Sequence, residues 1–316
     1  MTRRRQLLVA SAALLAAGVC RVRAEPGAPA FATQDFDWSD TARQRPVPVR
    51  LYLPGGEVPV PLVLFSHGIG GSRAGYSYLG RYLAGHGVAS LHLQHVGSDR
   101  SLWGGNPFTL VGRLQDAATD AEAMARVQDL GFALDRLLDS PLVTRIDPWR
   151  IVAAGHSYGA NTALLAAGAR VQRDSATLSL RDARVKAAIA ISAPPFYGDN
   201  DLPSILGGIA LPSLHVTATD DVIRIPGFYS GAEDRLAVFD AIGSRRKWLA
   251  VFEGGSHSIF TDRAGTGGPV LNPQVKQATA ELALAFVQAV FDGDDAALNG
   301  WPQRHRDIVA RFDAAA

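Results

Sequence analysis

Runs of continuous apolar residues alternate along this chain with segments whose apolar residues recur at helical spacing. The apolar runs predict strands at 47–54, 61–67, 88–93, 151–155, 187–192, 211–218 and 247–254. The helical spacing predicts helices at 76–84, 113–138, 158–170 and 274–291. Strands that are apolar on both faces and alternate with helices are typical of an α/β fold, in which helices cover both faces of a mostly parallel central sheet. In such a sheet, ligands bind beyond the carboxyl ends of the strands.

The first 24 residues do not fit this alternation. They read MTRRRQLLVASAALLAAGVCRVRA, in which arginines precede an apolar stretch that is too short to span a bilayer comfortably. Val22 and Ala24 are small residues in front of a cleavage point before Glu25, and the arginine pair resembles a twin-arginine export signal. We therefore predict a signal peptide at 1–24 and a single domain at 25–316, exported to the periplasm or the medium. An uncleaved anchor is the alternative.

Charge and cysteine content narrow the classes of function. Without residues 1–24, Lys plus Arg falls from 31 to 26 against 30 acids, which gives a net charge of −4 and does not favour nucleic-acid binding. Cys20 is the chain's one cysteine and lies in the predicted signal, so the mature protein is expected to have no disulfide. No metal-ligand spacing such as HExxH is present. We predict no cofactor, no metal and no stable membrane insertion after cleavage.

Residues 155–159 read GHSYG directly after an apolar run. Glycines on both sides of a serine allow a tight strand-to-helix turn, at which the hydroxyl projects above the sheet. The amino end of the following helix would favour negative charge that develops beside that hydroxyl. This pattern predicts Ser157 as a nucleophile, and an ordinary serine in a glycine-rich loop is the alternative.

A serine nucleophile needs a base and an acid, which follow it along the chain in this architecture. His257 comes after the run 247–254 and a glycine pair, whereas His305 lies in the charged segment WPQRHRD, so His257 is the preferred base. Asp220 and Asp221 both follow the run 211–218, and we prefer Asp220 as the acid that orients the imidazole, with Asp221 as the alternative.

Two backbone N–H groups are candidates for an oxyanion hole. One belongs to Tyr158, the residue after the nucleophile, and the other to Ile69 in the glycine-rich turn HGIGG. Aromatic residues on several loops predict an apolar substrate pocket. The candidate pocket residues are His95, Trp103, Phe196, Tyr197, Phe228 and Phe260.

Four stretches carry a resemblance to a known family: WSDTARQRPVPVRLYLP, LVLFSHGIGGSRAGYSYLGRYLAGHG, VAAGHSYGANTALLAAG and EGGSHSIFTD. With them the chain resembles an α/β-hydrolase. More narrowly it is similar to the bacterial proteins labelled predicted dienelactone hydrolases, which are related to platelet-activating-factor acetylhydrolase and chlorophyllase. The resemblance implies a triad of Ser157, Asp220 and His257 and cofactor-free hydrolysis of a carboxylic ester. True dienelactone hydrolases have a cysteine at the position of Ser157, so dienelactone is not the expected substrate.

The sequence therefore predicts a serine esterase that acts on small-molecule esters with an apolar acyl or aromatic group. An acyltransferase, an amidase or a polyester hydrolase could use the same triad. A non-catalytic binding protein is an alternative from a different class, but a binding role would not require a nucleophile, a base, an acid and an oxyanion turn together.

Overall fold

The computed structural model describes residues 31–173, 176–198, 201–263 and 265–315, and the predicted signal peptide at 1–24 lies outside them. The strands are β1 Phe31–Asp40, β2 Arg45–Pro54, β3 Val60–Ser66, β4 Ala89–Leu93, β5 Ile146–His156, β6 Arg170–Arg173, β7 Ala176–Ser179, β8 Val185–Ile191, β9 Ser213–Asp220, β10 Lys247–Ser256 and β11 Val309–Ala315. The helices are α1 Ser77–Gly85, α2 Leu110–Asp116, α3 Asp120–Leu138, α4 Tyr158–Ala167, α5 Leu202–Leu206, α6 Ala232–Ala241, α7 Gly268–Phe291 and α8 Ala296–Arg304.

Over the described residues, nine strands form one sheet in the order β1-β2-β4-β3-β5-β8-β9-β10-β11. The strands from β4 through β3, β5, β8 and β9 to β10 are parallel, whereas β1, β2 and β11 join antiparallel at the two edges. Because β3, β5, β9 and β10 are parallel, the loops that follow them emerge at the same edge of the sheet. These are the loops that carry the predicted site residues.

The core explains why the central strands are apolar without alternation. In β3, Leu62 and Leu64 pack on one face with α3 and α4, whereas Val63 and Phe65 pack on the other face with α1 and α7. Both faces of the sheet are therefore covered, and each successive side chain of a central strand is removed from water. This arrangement confirms the predicted α/β fold with helices on both faces of a mostly parallel sheet.

The predicted helix at 113–138 is two helices, α2 and α3. Thr119 adopts an extended conformation between them, and its hydroxyl accepts a hydrogen bond from the N–H of Glu122 at 3.4 Å. A threonine cap followed three residues later by a glutamate is a helix start signal. The apolar periodicity continues across this break, and for that reason it predicted one helix.

Seven further elements of the described residues were not predicted, namely the strands β1, β6, β7 and β11 and the helices α5, α6 and α8. The strands β6 and β7 form a separate antiparallel hairpin, β1 pairs with β2 over its whole length, and β11 pairs with β10. The segment that contains His305 is ordered against α7, where His305 Nε2 lies 2.8 Å from a carboxylate oxygen of Glu281. None of the helices in the described ranges is both long enough and apolar enough to cross a membrane.

Candidate active site

Ser157 lies at a sharp turn between β5 and α4. Its backbone has φ 56° and ψ −125°, a conformation that costs a non-glycine residue on the order of 1–3 kcal/mol. The turn is held by a hydrogen bond of 2.8 Å from Ser157 N–H to the carbonyl oxygen of Ile191 on β8. The Ser157 side chain is therefore fixed above the carboxyl end of β5, at the amino end of α4.

The two glycines of GHSYG are required by packing. A Cβ at Gly155 would overlap the carbonyl oxygen of Gly159, and a Cβ at Gly159 would overlap the carbonyl oxygen of Ser66 at the end of β3. Only residues without a side chain allow the backbones of β3, β5 and α4 to approach so closely. The glycine spacing thus has a direct structural cause.

His257 connects Ser157 to a carboxylate. Its Nε2 lies 2.8 Å from Ser157 Oγ, and its Nδ1 lies 2.7 Å from Oδ1 of Asp221. An ionised carboxylate can only accept, so Nδ1 carries the proton and Nε2 is left to accept from the serine hydroxyl. This tautomer allows His257 to remove the proton from Ser157.

The acid beside His257 is Asp221, which corrects the preference for Asp220. Asp220 is exposed, whereas Asp221 is completely buried. At the end of β9 the chain turns, with the Asp221 N–H bonded to the carbonyl oxygen of Ala218, and this turn directs the second aspartate inward. The alternative that the sequence left open is therefore the one that the geometry favours.

Asp221 is held as a carboxylate by its neighbours. Burial raises its pKa, but the hydrogen bond and electrostatic interaction with His257 and the positive charge of Arg235 outweigh burial and bring the pKa well below its usual range. The Thr217 hydroxyl donates to Oδ2 at 2.8 Å, and the buried guanidinium of Arg235 donates to Oδ1 at 3.4 Å. Arg235 and Thr217 were not identified from the sequence, because their role depends on the packing of α6 against β9.

The two predicted oxyanion donors flank Ser157. Gly68, which precedes Ile69, packs so closely that a Cβ there would lie 3.2 Å from the Ser157 Cβ. Ile69 and Tyr158 both line the cavity that begins at Ser157. Neither backbone N–H donates to another group of the described residues, so both are free for a ligand.

A buried hydrogen-bonded bridge joins the three turns of the site. The N–H of Gly68 donates to the Tyr76 hydroxyl at 3.3 Å, and that hydroxyl lies 2.8 Å from Nδ1 of His156. His156 Nε2 lies 2.9 Å from the carbonyl oxygen of His257, so Nε2 donates and Nδ1 accepts from Tyr76. Burial lowers the pKa of His156 to about 3, so the ring is neutral at pH 7.

A buried arginine lies under the oxyanion turn. Arg126 of α3 donates to the carbonyl oxygen of His67 and to Oγ1 of Thr162, and its guanidinium lies 4.5 Å from the centre of the Tyr158 ring. Burial lowers its pKa to about 10, so it is cationic at pH 7. Arg126 ties α3 to both the oxyanion turn and the first turns of α4.

A cavity and a groove both border Ser157. The first is a narrow cavity of about 120 Å³ whose lining includes Ser157 but not His257. It is mostly apolar, with lining residues Ile69, Leu114, Ala118, Asp120, Ala123, Met124, Tyr158, Asn161, Leu165, Val171, Arg173, Leu178, Leu180, Pro194, Phe196, Tyr197, Ile223, Ile225 and Phe228. The second is a wider groove of about 450 Å³ that contains both Ser157 and His257 and whose lining includes Arg100, Trp103, Arg224 and Arg263.

Four of the six candidate pocket residues line the cavity or the groove. Phe196, Tyr197 and Phe228 line the narrow cavity, and Trp103 lines the groove, where its Nε1 donates to the carbonyl oxygen of Gly70 at 2.8 Å.

His95 and Phe260 line neither the cavity nor the groove, which corrects their assignment to the pocket. His95 is fully buried beneath the oxyanion turn, with Nδ1 3.0 Å from Asp129 and Nε2 3.1 Å from the Ser66 hydroxyl. Phe260 is fully buried against Phe252 in the core. In the described ranges, no group of three or more His, Cys, Asp or Glu side chains is placed to hold a metal ion.

Comparisons with known proteins agree with this architecture. Residues 43–103 match the family model described as platelet-activating factor acetylhydrolase, isoform II. The structure is similar to that of a ferulic acid esterase from Streptomyces cinnamoneus, with a TM-score of 0.65 and 21% identity over 92% of this chain and 99% of the esterase chain. No curated protein sequence matches the chain. The protein thus has the α/β-hydrolase fold, and over residues 43–103 it is similar to the isoform II platelet-activating factor acetylhydrolases.

Proposed function

We propose that the protein is a serine hydrolase that cleaves carboxylic esters through an acyl-enzyme on Ser157. The observation that carries the proposal is the continuous contact from Ser157 Oγ to His257 to Asp221, at 2.8 and 2.7 Å, at a strained turn. A loop serine without a catalytic role would need neither the strained backbone nor the buried carboxylate behind the histidine. The family that matches residues 43–103 is described as an acetylhydrolase, and the similar solved structure is described as an esterase.

The proposed reaction begins when Ser157 Oγ attacks the ester carbonyl carbon and its proton moves to His257 Nε2. Asp221 stabilises the imidazolium, and the N–H groups of Ile69 and Tyr158 donate to the oxyanion. The C–O bond to the alcohol then breaks, and the departing oxygen takes the proton from His257. Water next attacks the acyl-enzyme, gives a proton to His257, and releases the carboxylic acid as Ser157 recovers its proton.

The positions of the cavity and the groove relative to His257 suggest how the ester binds. His257 must protonate the leaving alcohol, so the alcohol occupies the groove, which contains His257. The acyl group then enters the apolar cavity, whose lining does not include His257. Since a cavity of about 150 Å³ holds one benzene, a cavity of about 120 Å³ fits a short acyl chain or a single ring.

Hydrolysis of p-nitrophenyl esters from acetate to decanoate, beside methyl esters of aromatic acids, tests this proposal. We expect kcat/KM to be greatest for acyl groups of about four to six carbons or one ring, and Ser157→Ala to be inactive. Product analysis with added alcohols and amines would reveal acyl transfer. A folded wild-type protein that hydrolyses no member of the panel would contradict the proposal.

We also propose that the protein is exported, from the sequence pattern of residues 1–24 alone. Fractionation of expressing cells, with determination of the N-terminal residue, tests this. Cytoplasmic protein that retains Met1 would refute it, whereas exported protein that starts at Glu25 would support it.

A further inference from the structure

The N–H group of Ile69, one of the two proposed oxyanion donors, shares a peptide group with the carbonyl group of Gly68. Because a trans peptide group is planar, its N–H and its carbonyl oxygen point in opposite directions, and a contact that fixes one also fixes the other. The Gly68 carbonyl oxygen has two hydrogen-bonding partners, Nδ1 of His67 at 2.7 Å and the N–H of Gly71 at 3.0 Å. The direction of the Ile69 N–H is therefore set by these contacts.

The His67 ring has one defined tautomer. The backbone N–H of His95 donates to His67 Nε2 at 3.1 Å, so Nε2 is an acceptor without a proton. Burial and the positive charge of Arg126 hold the pKa of His67 well below its usual range, so the ring is neutral at pH 7. The single ring proton therefore lies on Nδ1, which donates to the Gly68 carbonyl oxygen.

The glycine-rich turn is built closely around this ring. A Cβ at Gly71 would lie 2.7 Å from the Cβ and 2.9 Å from the Nδ1 of His67. The preceding peptide group is also held, because the His67 carbonyl oxygen accepts from Arg126 and the Gly68 N–H donates to the Tyr76 hydroxyl. His67 is buried and lines neither the cavity nor the groove, so its side chain can act on a substrate only through the backbone.

The second oxyanion donor does not depend on a side chain in this way. The Tyr158 N–H shares its peptide group with the Ser157 carbonyl, which accepts from the N–H of Ala160 at 2.8 Å in the first turn of α4. Formation of α4 itself thus orients this donor. The turn HGIGG belongs to no helix and to no strand of the sheet, so a side chain takes the role that the helix has for Tyr158.

We propose that His67 is a positioning residue, whose Nδ1–H orients and polarises the peptide group between Gly68 and Ile69 so that the Ile69 N–H donates to the oxyanion. A hydrogen bond to the carbonyl oxygen of a peptide group makes its N–H a stronger donor, because linked hydrogen bonds polarise one another. This inference rests on the proposed function, which places an oxyanion beside Ser157. It implies that His67 stabilises the transition state and contributes little to binding of the ground-state ester.

Asparagine and glutamine at position 67 separate the donor from the rest of the ring. The amide nitrogen of asparagine can occupy the place of Nδ1 and donate to Gly68, whereas the amide of glutamine reaches the place of Nε2 and leaves Gly68 without this donor. For p-nitrophenyl butyrate we expect His67→Gln to lower kcat by about tenfold to a hundredfold, with KM changed by less than about twofold. His67→Asn should retain kcat to within about threefold. An unchanged kcat in His67→Gln, or equal losses in the two variants, would overturn the proposal.

Inhibition by trifluoromethyl butyl ketone gives a readout that a loss of stability alone would not produce. Ser157 Oγ bonds to the ketone carbon, the serine proton moves to His257, and the carbonyl oxygen becomes an oxyanion that mimics the transition state. We expect the inhibition constant to rise in His67→Gln by about the factor by which kcat/KM falls, and to stay near the wild-type value in His67→Asn. An unchanged inhibition constant in folded His67→Gln would overturn the proposal.

Proton NMR of the wild-type protein tests the same link without a substitution. When the ketone adduct forms, the Ile69 N–H donates to the oxyanion and its peptide group becomes more polarised, so the resonance of the His67 Nδ1 proton should move downfield. The ring resonances of His215, whose Nε2 lies 3.2 Å from the Ser213 hydroxyl on β9, should not move. An unchanged His67 resonance in the adduct would overturn this inference alone. A wild-type protein that forms no adduct would overturn the proposed function, and this inference with it.

Discussion

Asp221 and Asp220 are adjacent in the chain but have opposite surroundings. Asp221 is buried against His257, Thr217 and Arg235, whereas Asp220 is exposed. Asp221→Asn removes the carboxylate that fixes the imidazole tautomer, so we expect kcat to fall by roughly 10³ to 10⁴. Asp220→Asn is the matched control and should retain nearly full activity. Steady-state hydrolysis of p-nitrophenyl butyrate measures both, and equal losses in the two variants would refute the assignment.

Tyr76 and Tyr78 provide a second matched pair. The Tyr76 hydroxyl links Gly68 to His156, which in turn holds the backbone of His257, whereas the buried Tyr78 hydroxyl has no partner among the described residues. Loss of one such hydrogen bond is worth about 1 kcal/mol, so we expect Tyr76→Phe to lower kcat about fivefold to tenfold with little change in KM. Tyr78→Phe should leave kcat unchanged. An unchanged kcat in Tyr76→Phe would show that the bridge does not position the site.

At the residue scale, sequence reasoning identified candidate residues that follow a strand. It did not identify residues whose position depends on tertiary packing. Ser157 and His257 could be found because each follows an apolar run and glycines. The choice between Asp220 and Asp221 could not be made, because a shift of one residue sends a side chain to the opposite side of a strand.

At the scale of elements, the meeting of β3, β5 and α4 makes the nucleophile turn possible. A Cβ at Gly159 would overlap the carbonyl oxygen of Ser66, so Gly159→Ala must push the α4 backbone away from β3. We expect the free energy of unfolding to fall by about 3 kcal/mol or more, with loss of esterase activity. Urea unfolding followed by tryptophan fluorescence measures the stability.

Gly112 is the control for this change. It lies inside α2, and a Cβ there would have no atom within 4 Å. Gly112→Ala should therefore stabilise the protein by about 0.5–1 kcal/mol, because alanine favours a helix. A Gly159→Ala variant as stable and as active as the wild type would contradict the packing argument.

The elements were predicted where the apolar pattern is strong and missed where it is weak. The central strands are buried on both faces, and their runs gave nearly correct bounds. The hairpin of β6 and β7 has mostly polar, exposed residues, so nothing in its pattern indicates strands. Its Val171 and Leu178 nevertheless line the cavity, a role that depends on tertiary packing.

For the whole molecule, buried histidines make stability depend on pH. Burial lowers the pKa of His92 to about 4 and of His156 and His215 to about 3, and it lowers the pKa values of His67 and His95 as well. Between pH 6.5 and the folded pKa, unfolded histidines bind protons that the folded ones do not. The free energy of unfolding therefore falls as pH falls below about 6.5, by up to about 1.4 kcal/mol per pH unit for each group.

Urea unfolding at pH 7.5, 6.0 and 5.0 tests this expectation. His215→Gln removes one buried group and should make the pH dependence shallower, whereas His86→Gln, at an exposed position, should leave it unchanged. A free energy of unfolding that stays constant from pH 7.5 to 5.0 would contradict the account. Measurements at pH 5 and above stay above the ordinary pKa values of aspartate and glutamate, about 3.9 and 4.3. Asp129 is the exception, because burial raises its pKa.

The α/β architecture could be predicted for the whole molecule because it follows from local periodicity repeated along the chain. The shape of the cavity could not, since residues 69, 114, 161, 178 and 228 meet there from distant parts of the sequence. The size of the acyl group is therefore an inference from the structure alone.

Labelling with a fluorophosphonate tests the central claim most directly, because the probe reacts only with an activated serine. Intact-mass and peptide mass spectrometry of the purified protein should show one adduct on Ser157, no adduct in Ser157→Ala, and labelling slowed by a factor of about 10³ or more in His257→Ala. A folded wild-type protein that remains unlabelled, or that is labelled at another serine, would contradict the assignment of Ser157 as the nucleophile.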